Sequence, residues 1–379
     1  MIETAKKIKL RNGNQMIAEG AIYAGCKFFA GYPITPASGI YKGMIDMLPQ
    51  VGGLAIPSPD EISAIAYCVG ASMRGFESLT ATSGPGWSLM VETVQYALIT
   101  ETPLVIALVQ RLGPSTGGAT QGAQGDILFS EFIISGGYTI PVLYPTNPRE
   151  CFELTVKAFN WSEKLRTPVV LLSDKEIGMT TETVDYSGLE NLPIENRKTI
   201  DPNDLEIKDW KMYDFKNLGD VPLFAPVGGK IKVTATGSAH NKEGELKKND
   251  PETISVLKHL EGKIQSHRDE LIEYKLFEEE DAQTLIISFG ITGRTAREVF
   301  RRLKNSNKKA SVLIIHSLFP IPEKLLKSVS EKYNRIIIAE ENLTGQYRML
   351  IQHLFNGKEV IGVNKIGSMI TPQEILEKI

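Results

Sequence analysis

The sequence feature that most constrains the fold is one continuous stretch, residues 57–86, PSPDEISAIAYCVGASMRGFESLTATSGPG. A proline near its start suits the first turn of a helix, and apolar residues then recur at helical spacing. Residues 79–82 have the small and β-branched side chains typical of a strand. Residues 83–86 break that strand, and a second helix is predicted from about Trp87. The stretch therefore predicts helix, strand, turn and helix, with Glu61 in the first helical turn.

The same alternation of strands and helices continues along the chain. Residues 104–109 form a continuous apolar run, as expected of a strand in a parallel sheet covered on both faces. Residues 149–164 have a helical pattern, and residues 168–172 again predict a strand. Strands and helices also alternate from residue 284 onwards. We therefore predict an α/β fold, with a mostly parallel sheet in the first domain and a smaller C-terminal α/β domain.

The length of 379 residues allows two or three domains. We predict a first domain at residues 1–250, whose last part, from about residue 187, is an extended arm packed on that domain. The arm has little periodicity, but its aromatic and apolar residues argue against disorder. A charged helix at residues 251–280 is predicted to connect this part to a C-terminal domain at residues 281–379.

Composition and charge argue against several classes of protein. The net charge of −3 gives no support to nucleic-acid binding or to a polybasic membrane contact. No apolar run approaches the length of a membrane span, and the basic N-terminus lacks the apolar core of a secretion signal, so we expect a cytoplasmic location. The three cysteines, Cys26, Cys68 and Cys151, are far apart and do not have the spacing of metal ligands. We predict that each is buried and that this chain has no metal site.

Glu61 is the first candidate for a chemical role, and two interpretations of it compete. Ser58 followed by Glu61 matches a capping box, in which the carboxylate bonds the backbone at the start of a helix. On local sequence alone this interpretation is favoured. In the alternative, the carboxylate lies in an apolar setting that raises its pKa, and it shares a proton with a ligand nitrogen.

Arg111 and Thr35 are candidates for binding an anion. Arg111 directly follows a predicted buried strand, at the position where open α/β sheets bind ligands. Its guanidinium suits a carboxylate, although a surface arginine is an equally good interpretation. Thr35 lies between Pro33 and Pro36, where a rigid backbone could orient its hydroxyl, although an ordinary turn threonine is the simpler interpretation.

The glycine-rich loops do not match the known phosphate-binding patterns. Residues 83–86 fit neither GxGxxG nor GxxxxGK[ST], and residues 290–294 lack the complete dinucleotide fingerprint. The five histidines lack metal-ligand spacing, and no serine lies in a GxSxG elbow. These patterns argue against NAD binding and against a serine hydrolase.

Several motifs together resemble one family, the α subunits of 2-oxoacid:ferredoxin (acceptor) oxidoreductases, which act on 2-oxoglutarate, branched 2-oxoacids or pyruvate. The resemblance covers essentially the whole chain, and the combination of YPITP, TSGPG and QRLGPSTG is highly specific. The matching stretches are GNQMIAEGAIYAGCKFFAGYPITPAS, DEISAIAYCVGASMRGFESLTATSGPGWSLMVET, TPLVIALVQRLGPSTGG, TATGSAHNKEG, SFGITGRTAREVFRRL and ENLTGQ.

This resemblance implies a thiamine-diphosphate-binding domain of the transketolase pyrimidine type, followed by a transketolase C-terminal-like domain. It implies that Glu61 is catalytic and hydrogen-bonds the ring nitrogen of the aminopyrimidine. Thr35 and Arg111 would contact the substrate, with Arg111 pairing with its carboxylate. The residues implied to contact the cofactor are Pro33, Ile34, Glu61, Gly84 and Pro85. In this context the catalytic interpretation of Glu61 becomes the favoured one.

The resemblance also implies a partner. In the family the cofactor lies between the α subunit and a β subunit that holds the diphosphate and Mg²⁺, and this chain has no GDG motif and no array of cysteines. Mg²⁺ and a [4Fe-4S] cluster are therefore expected on a β subunit, in an (αβ)₂ assembly that takes a 2-oxoacid and coenzyme A and reduces ferredoxin. The alternatives are a subunit of a non-oxidative thiamine-dependent lyase and a non-catalytic paralogue of the same fold.

One loop departs from the family pattern. Where 2-oxoglutarate enzymes typically continue PSTG with leucine-proline-threonine-lysine, this chain has residues 118–121, GATQ. Neutral Gln121 thus replaces a lysine that could face a second carboxylate, which weakens the expectation of a dicarboxylate substrate. Leu112 also stands where a glycine is usual, so the backbone of this loop is expected to differ.

Overall fold

The computed structural model describes residues 8–201, 203, 210–304, 306 and 308–379. The strands in chain order are β1 (Ile8–Arg11), β2 (Phe28–Gly31), β3 (Leu54–Pro57), β4 (Ser78–Thr82), β5 (Leu104–Gln110), β6 (Val142–Leu143), β7 (Pro168–Asp174), β8 (Glu182–Asp185), β9 (Tyr274–Phe277), β10 (Thr284–Ser288), β11 (Ala310–Ile315), β12 (Ser317–Phe319), β13 (Arg335–Glu340) and β14 (Glu359–Asn364). The α-helices are α1 (Gly13–Tyr23), α2 (Ser38–Met47), α3 (Glu61–Met73), α4 (Gly84–Ile99), α5 (Ile127–Glu131), α6 (Pro148–Leu165), α7 (Lys175–Met179), α8 (Pro251–Ser266), α9 (Gly290–Leu303), α10 (Glu323–Ser330), α11 (Gln346–Ile351) and α12 (Pro372–Leu376).

The first half of the chain is built on a seven-stranded sheet in the order β12-β6-β7-β5-β4-β2-β3. All its pairings are parallel except that of β12 with β6. Every residue of β4, β5 and β7 is buried, because helices cover both faces of the sheet. This burial explains why the central strands are recognisable as apolar runs in the sequence.

The C-terminal part has a five-stranded sheet in the order β14-β13-β10-β11-β9. β9 runs antiparallel to β11, and the other pairings are parallel. After β11 the chain crosses to the first sheet, where β12 pairs with β6. One hydrophobic core cluster includes residues of both sheets, among them Leu104 and Leu108 of β5, Leu285 of β10 and Ile338 of β13. The two parts are therefore joined by shared pairing and packing as well as by the connecting chain.

The connecting helix is shorter than predicted. α8 begins at Pro251, capped by Asp250, whose carboxylate accepts a hydrogen bond from the Thr253 N–H at 3.0 Å, and it ends at Ser266. A short 3₁₀ helix and β9 occupy the rest of the segment. The prediction of helix up to residue 280 was wrong. The end of this segment forms β9, an edge strand whose backbone groups make hydrogen bonds with β11.

The predicted arm contacts the first sheet's helices through buried charges. Arg197 donates hydrogen bonds to the carboxylate of Glu163 in α6, and its guanidinium lies 4.7 Å from the ring centroid of Phe224. Arg166 donates to the carbonyl oxygens of Met212 and Pro222, at 3.2 and 3.1 Å. These bonds hold the irregular segment against the α/β core. The domain boundaries themselves stay a prediction.

Candidate active site

The sequence-predicted residues lie where neighbouring parallel strands end. Thr35 follows β2, Glu61 follows β3, Gly84 follows β4 and Arg111 follows β5. Because these four strands are adjacent in the sheet and parallel, their carboxyl ends meet at one edge. This is the edge at which open α/β sheets bind ligands.

Glu61 does not form the capping box that its local sequence suggests. The N-cap of α3 is Asp60, whose carboxylate accepts a hydrogen bond from the Ser63 N–H at 2.7 Å. Glu61 is therefore the first helical residue, and the hydroxyl of Ser58 is buried without a hydrogen-bond partner among the described residues. The capping interpretation was wrong because the helix starts two residues later than the motif requires, which leaves the Glu61 carboxylate without a role in capping.

The carboxylate of Glu61 is buried in a tight setting. Glu61 is 5% exposed, and within the described part of the chain its carboxylate accepts no hydrogen bond from another residue. A Cβ at Gly86 would lie 2.5 Å from its Oε1, so only glycine fits at this position of α4. Burial raises the pKa of the Glu61 carboxyl, and the charge of Arg111 acts in the opposite direction. Glu61 is therefore suited to share a proton with a ligand.

The predicted turn at residues 83–86 is the start of α4. Ser83 is the N-cap, and Gly84, Pro85 and Gly86 form the first helical turn. Proline is compatible with this turn because its missing N–H would have no intrahelical acceptor there. The glycines let the helix begin directly against Glu61 and against the carboxylate of Asp126, whose oxygens lie 3.3 Å from where a Cβ on Gly84 would be.

Arg111 joins the loops that follow β2 and β5. Its Nη1 donates a hydrogen bond of 2.6 Å to the carbonyl oxygen of Thr35, next to the cis peptide bond between Thr35 and Pro36. Its Nε is buried and has no hydrogen-bond partner among the described residues. Arg111 is only 7% exposed, so it is not the surface arginine of the simpler interpretation. An unpaired, buried guanidinium nitrogen indicates a site for an anion.

A cavity of about 400 Å³ opens beside Arg111. Gly84, Pro85 and Arg111 line it, whereas Thr35 and Glu61 do not. The lining residues are Gly84, Pro85, Ser88, Arg111, Leu112, Gly113, Pro114, Ser115, Ala123, Gly125, Asp126, Phe129, Asn342, Leu343, Gln346 and Ile366. Residues from the C-terminal part thus close one side of a cavity that starts at the sheet of the first part.

Asp126 is a candidate functional residue that the sequence did not single out. Its Oδ2 is buried without a hydrogen-bond partner among the described residues, and burial raises the pKa of its carboxyl to about 6, with Arg111 acting in the opposite direction. Its backbone N–H donates to Gln110 Oε1 at 2.8 Å. The only sequence signal was its place in the polar glycine-rich loop after β5, since nothing in that loop's spacing distinguishes it from its neighbours.

Gln121 and the cofactor candidates of the β2 loop lie outside this cavity. Gln121 is exposed, and its backbone carbonyl accepts a hydrogen bond from the Leu112 N–H at 2.8 Å, which closes the loop on itself. Pro33 is exposed and Ile34 is partly buried.

In the described part of the chain, no group of three or more histidine, cysteine or acidic side chains could hold a metal ion. Cys26, Cys68 and Cys151 are buried, and none of them forms a disulfide.

Two family models match the chain. Residues 19–257 match the model "Pyruvate flavodoxin/ferredoxin oxidoreductase, thiamine diP-bdg", and residues 282–375 match "Pyruvate:ferredoxin oxidoreductase core domain II". The chain is 36% identical over 373 residues to the 2-oxoglutarate synthase subunit KorA of Methanocaldococcus jannaschii, in a match that covers 98% of this chain and 99% of the relative. The chain belongs to the family of 2-oxoacid:ferredoxin oxidoreductase α subunits. The predicted family and a thiamine-diphosphate-binding domain are thereby confirmed.

Further relatives agree with this assignment. KorA of Methanothermobacter marburgensis is 38% identical over 370 residues, covering 97% of each chain. The α subunit of 2-oxoacid:ferredoxin oxidoreductase 1 from Sulfurisphaera tokodaii is 32% identical over 92% of this chain, which spans only 57% of that longer relative.

Solved structures confirm the fold. The 2-oxoglutarate:ferredoxin oxidoreductase of Magnetococcus marinus, solved with 2-oxoglutarate, coenzyme A and succinyl-CoA bound, has a TM-score of 0.92 at 31% identity. The match covers 98% of this chain and 65% of the solved chain. A split-gene transketolase has a TM-score of 0.52 at 14% identity, over 96% of this chain and 90% of its own. The transketolase-like α/β fold expected from the sequence is therefore present.

Among the residues that the structure describes, no helix has both the length and the apolar character needed to span a bilayer.

Proposed function

We propose that this chain is the α subunit of a thiamine-diphosphate-dependent 2-oxoacid:ferredoxin oxidoreductase. The reaction converts a 2-oxoacid, coenzyme A and oxidised ferredoxin into an acyl-CoA, CO₂ and reduced ferredoxin. The observation that carries the proposal is the carboxylate of Glu61, which is buried at the end of β3, lies against Gly86 and accepts no hydrogen bond from another described residue. Family membership over nearly the whole chain supports a chemical role for it.

The residues around Glu61 fit the aminopyrimidine of the cofactor. A carboxylate with a raised pKa can share a proton with a ring nitrogen, and the missing Cβ of Gly86 leaves the room that the Glu61 side chain itself occupies. We assign cofactor contacts to Pro33, Ile34, Gly84 and Pro85, in addition to Glu61. When bound, thiamine diphosphate supplies a nucleophilic carbon and an electron sink for decarboxylation. Glu61 holds the proton at the ring nitrogen.

Arg111 and Thr35 are proposed to bind the substrate. The guanidinium of Arg111 has a buried Nε without a partner in the described structure, and its Nη1 is fixed by the Thr35 carbonyl. A planar guanidinium held in one orientation suits the carboxylate next to the 2-oxo group. The hydroxyl of Thr35 makes no hydrogen bond to another described residue, so it is available as a second contact.

We propose that a β subunit completes the site in an (αβ)₂ complex of the cytoplasm. The β subunit would hold the diphosphate with Mg²⁺ and a [4Fe-4S] cluster, from which ferredoxin is reduced. A cluster held by four thiolates needs four cysteines, and this chain has three, all buried. Coenzyme A and the 2-oxoacid would bind to the complex.

Substitution of Glu61 by glutamine tests the catalytic assignment. Glu61→Gln removes the carboxylate that shares the proton but keeps its size, so we expect the turnover of the purified complex to fall at least about 100-fold. The measurement is 2-oxoacid-dependent reduction of viologen. Unchanged turnover would contradict the assignment and favour the non-catalytic paralogue.

The stability of the same variant provides the control. A carboxyl whose pKa rises on folding contributes stability that is fully present below its unfolded pKa and is lost as the pH rises through its folded pKa. The complex with Glu61→Gln should therefore unfold at pH 8 at a temperature no lower than the wild-type complex. If the variant complex unfolds at a lower temperature than the wild-type complex, the loss of turnover would come from misfolding and not from the missing carboxylate.

A panel of 2-oxoacids, with and without coenzyme A, tests the reaction itself. Viologen reduction that depends on both a 2-oxoacid and coenzyme A is the expected result. Release of CO₂ without reduction of the acceptor would instead support the non-oxidative lyase.

A further inference from the structure

The cavity beside Arg111 has two walls that come from different parts of the chain. One wall is the loop after β5 with the start of α5, and the other is the segment after β13. That second segment, residues 341–346, has the sequence ENLTGQ, which is one of the stretches that carry the family resemblance. The roles proposed for Glu61 and Arg111 do not involve this motif.

The motif is tied to the loop after β5 through the buried residue Gln124. The backbone N–H of Gln124 donates to the carbonyl oxygen of Glu341 at 2.7 Å, and its Oε1 accepts from the Glu341 N–H at 2.9 Å. Asn342 Nδ2 donates to the carbonyl oxygen of Gln124 at 3.1 Å. The first sheet's loop is therefore bonded directly to the C-terminal part at the level of the backbone.

Gln346 makes a second connection, and this one lies in the wall of the cavity itself. Its Oε1 accepts from the Leu128 N–H at 3.0 Å, and its Nε2 donates to the carbonyl oxygen of Gly125 at 2.9 Å. A primary amide has both a donor and an acceptor, so this one side chain satisfies two backbone groups of the opposite wall. A carboxylate or an apolar side chain of the same size could not make both bonds.

The motif holds Gln346 in place through its own turn. Asn342 Oδ1 accepts from the backbone N–H groups of Gly345 and Gln346, at 2.8 and 3.0 Å. Gly345 has a φ of 74°, a conformation that glycine adopts at little cost. The asparagine, the glycine and the final glutamine of ENLTGQ thus act together to direct one amide across the cavity wall.

We propose that Gln346 is a positioning residue for the 2-oxoacid, because it joins the two walls and so sets the width of the cavity in which Arg111 receives the substrate carboxylate. This inference rests on the proposed function and gives the ENLTGQ motif its role in it. The guanidinium of Arg111 is held separately, by its bond to the Thr35 carbonyl, so loss of Gln346 leaves the anion site itself in place. A looser cavity weakens ground-state and transition-state binding alike, which raises KM and leaves kcat unchanged.

Substitution of Gln346 by methionine tests the proposal. Gln346→Met keeps the length of the side chain and removes both hydrogen bonds, and the position is only partly buried. We expect the KM for the 2-oxoacid to rise about tenfold because the cavity is no longer preorganised. We expect kcat to stay within about twofold of the wild-type value. Both constants are measured by viologen reduction with the purified complex and the 2-oxoacid that the wild type turns over.

Gln346→Asn is a second variant in case the first does not fold. It keeps an amide but is one methylene shorter, so it cannot bond both Leu128 and Gly125, and it should show the same rise in KM. An unchanged KM in either folded variant would overturn the inference. A loss of activity that lies entirely in kcat would also overturn it.

Lys275→Met is the matched control, because it breaks another contact between the same two parts of the chain. Lys275 in β9 pairs with Glu150 in α6, and neither residue lines this cavity. Glu150 keeps its hydrogen bonds from Thr146, so the change leaves that carboxylate with partners. The KM of this variant should equal that of the wild type. A KM that rises as much as in Gln346→Met would mean that any loosening between the two parts has this effect, and it would overturn the inference.

Calorimetry of the complex with pyruvate and with 2-oxoglutarate keeps the two proposals distinguishable, since it reports binding even when no electrons are transferred. If the wild type reduces no acceptor with any 2-oxoacid but binds one of these ligands about tenfold more tightly than Gln346→Met does, the proposed function fails and the role of Gln346 in binding stands. If the wild type turns over a 2-oxoacid and Gln346→Met has the same KM, the proposed function stands and this inference fails.

Discussion

At the level of single residues, the contact between Glu61 and Gly86 determines how the site can work. Local sequence favoured a capping carboxylate, but Asp60 caps α3 and leaves Glu61 buried against the first turn of α4. A Cβ at position 86 would lie 2.1 Å from the Thr82 hydroxyl oxygen and 2.5 Å from Glu61 Oε1, too close to both. The glycine thus sets the position of the carboxylate as well as the path of the helix.

Substitution of Gly86 by alanine tests this contact. Because the added methyl group displaces the Glu61 carboxylate, we expect Gly86→Ala to lower kcat at least about tenfold, since small misplacements of a reacting group are costly. The measurement is 2-oxoacid-dependent viologen reduction by the complex.

Gly70→Ala is the matched control on the neighbouring helix α3. A Cβ at Gly70 meets no atom within 4 Å, so this change should keep full activity and stabilise the helix by about 0.5–1 kcal/mol. Equal activity of the two variants would show that the Glu61 carboxylate tolerates the added methyl group.

At the level of elements, the loops after β2 and β5 behave as one unit. The hydrogen bond of 2.6 Å from Arg111 to the Thr35 carbonyl links residues that are 76 positions apart in the sequence. Parallel strands bring both loops to the same edge of the sheet, so the guanidinium is oriented before any ligand arrives. Such preorganisation lowers the entropic cost of binding.

Replacing Arg111 by alanine should weaken substrate binding. We expect Arg111→Ala to raise the apparent KM for the 2-oxoacid about 10- to 100-fold, the usual contribution of a charge-assisted hydrogen bond. The KM is measured from steady-state viologen reduction. Arg301→Ala, which removes an arginine that is 73% exposed on α9, is the control and should leave the KM unchanged. An unchanged KM in Arg111→Ala would remove this residue from the substrate site.

At the level of the whole molecule, a buried charge cluster links α8 to the turn that follows α4. Glu101 and Lys263 are 0% and 1% exposed, and Lys263 Nζ donates to Glu101 Oε2 at 2.5 Å. His259 Nε2 lies 3.4 Å from the same oxygen. Burial alone would raise the pKa of the Glu101 carboxyl, but Lys263, His259 and Arg166 together hold it well below its usual range. The Glu101 carboxyl therefore stays ionised at neutral pH, while burial lowers the pKa of Lys263 and the charge of Glu101 acts in the opposite direction.

Breaking this pair on one side should destabilise the protein. Lys263→Met leaves the Glu101 charge buried and less well compensated, so we expect a loss of about 3–5 kcal/mol in the free energy of unfolding, measured with denaturant on the complex. The double variant Glu101→Gln with Lys263→Met should recover part of that loss, because it removes both members of the pair and leaves only the buried Arg166 without its carboxylate neighbour. A single variant as stable as the wild type would show that the cluster does not fasten α8.

Much of the fold was predictable because covered parallel strands have a simple sequence pattern. The predicted strands at residues 79–82 and 104–109 correspond to β4 and β5 within one residue at each end. The helix predicted up to residue 280 was wrong, since pairing of β9 with β11 is a contact with a distant segment that local periodicity does not record. The crossing of β12 to the first sheet is of the same kind.

The sequence by itself determined the α/β class, the family and the strand ends at which Thr35, Glu61, Gly84 and Arg111 lie, because these depend on local patterns and motifs. Only the tertiary structure decided that Glu61 is free of capping, that Arg111 bonds to Thr35 and that Asp126 faces the cavity. These features depend on burial and on contacts between segments far apart in the chain. Burial and such contacts set the charge of a site, and they exist only once the sheet has brought its loops together.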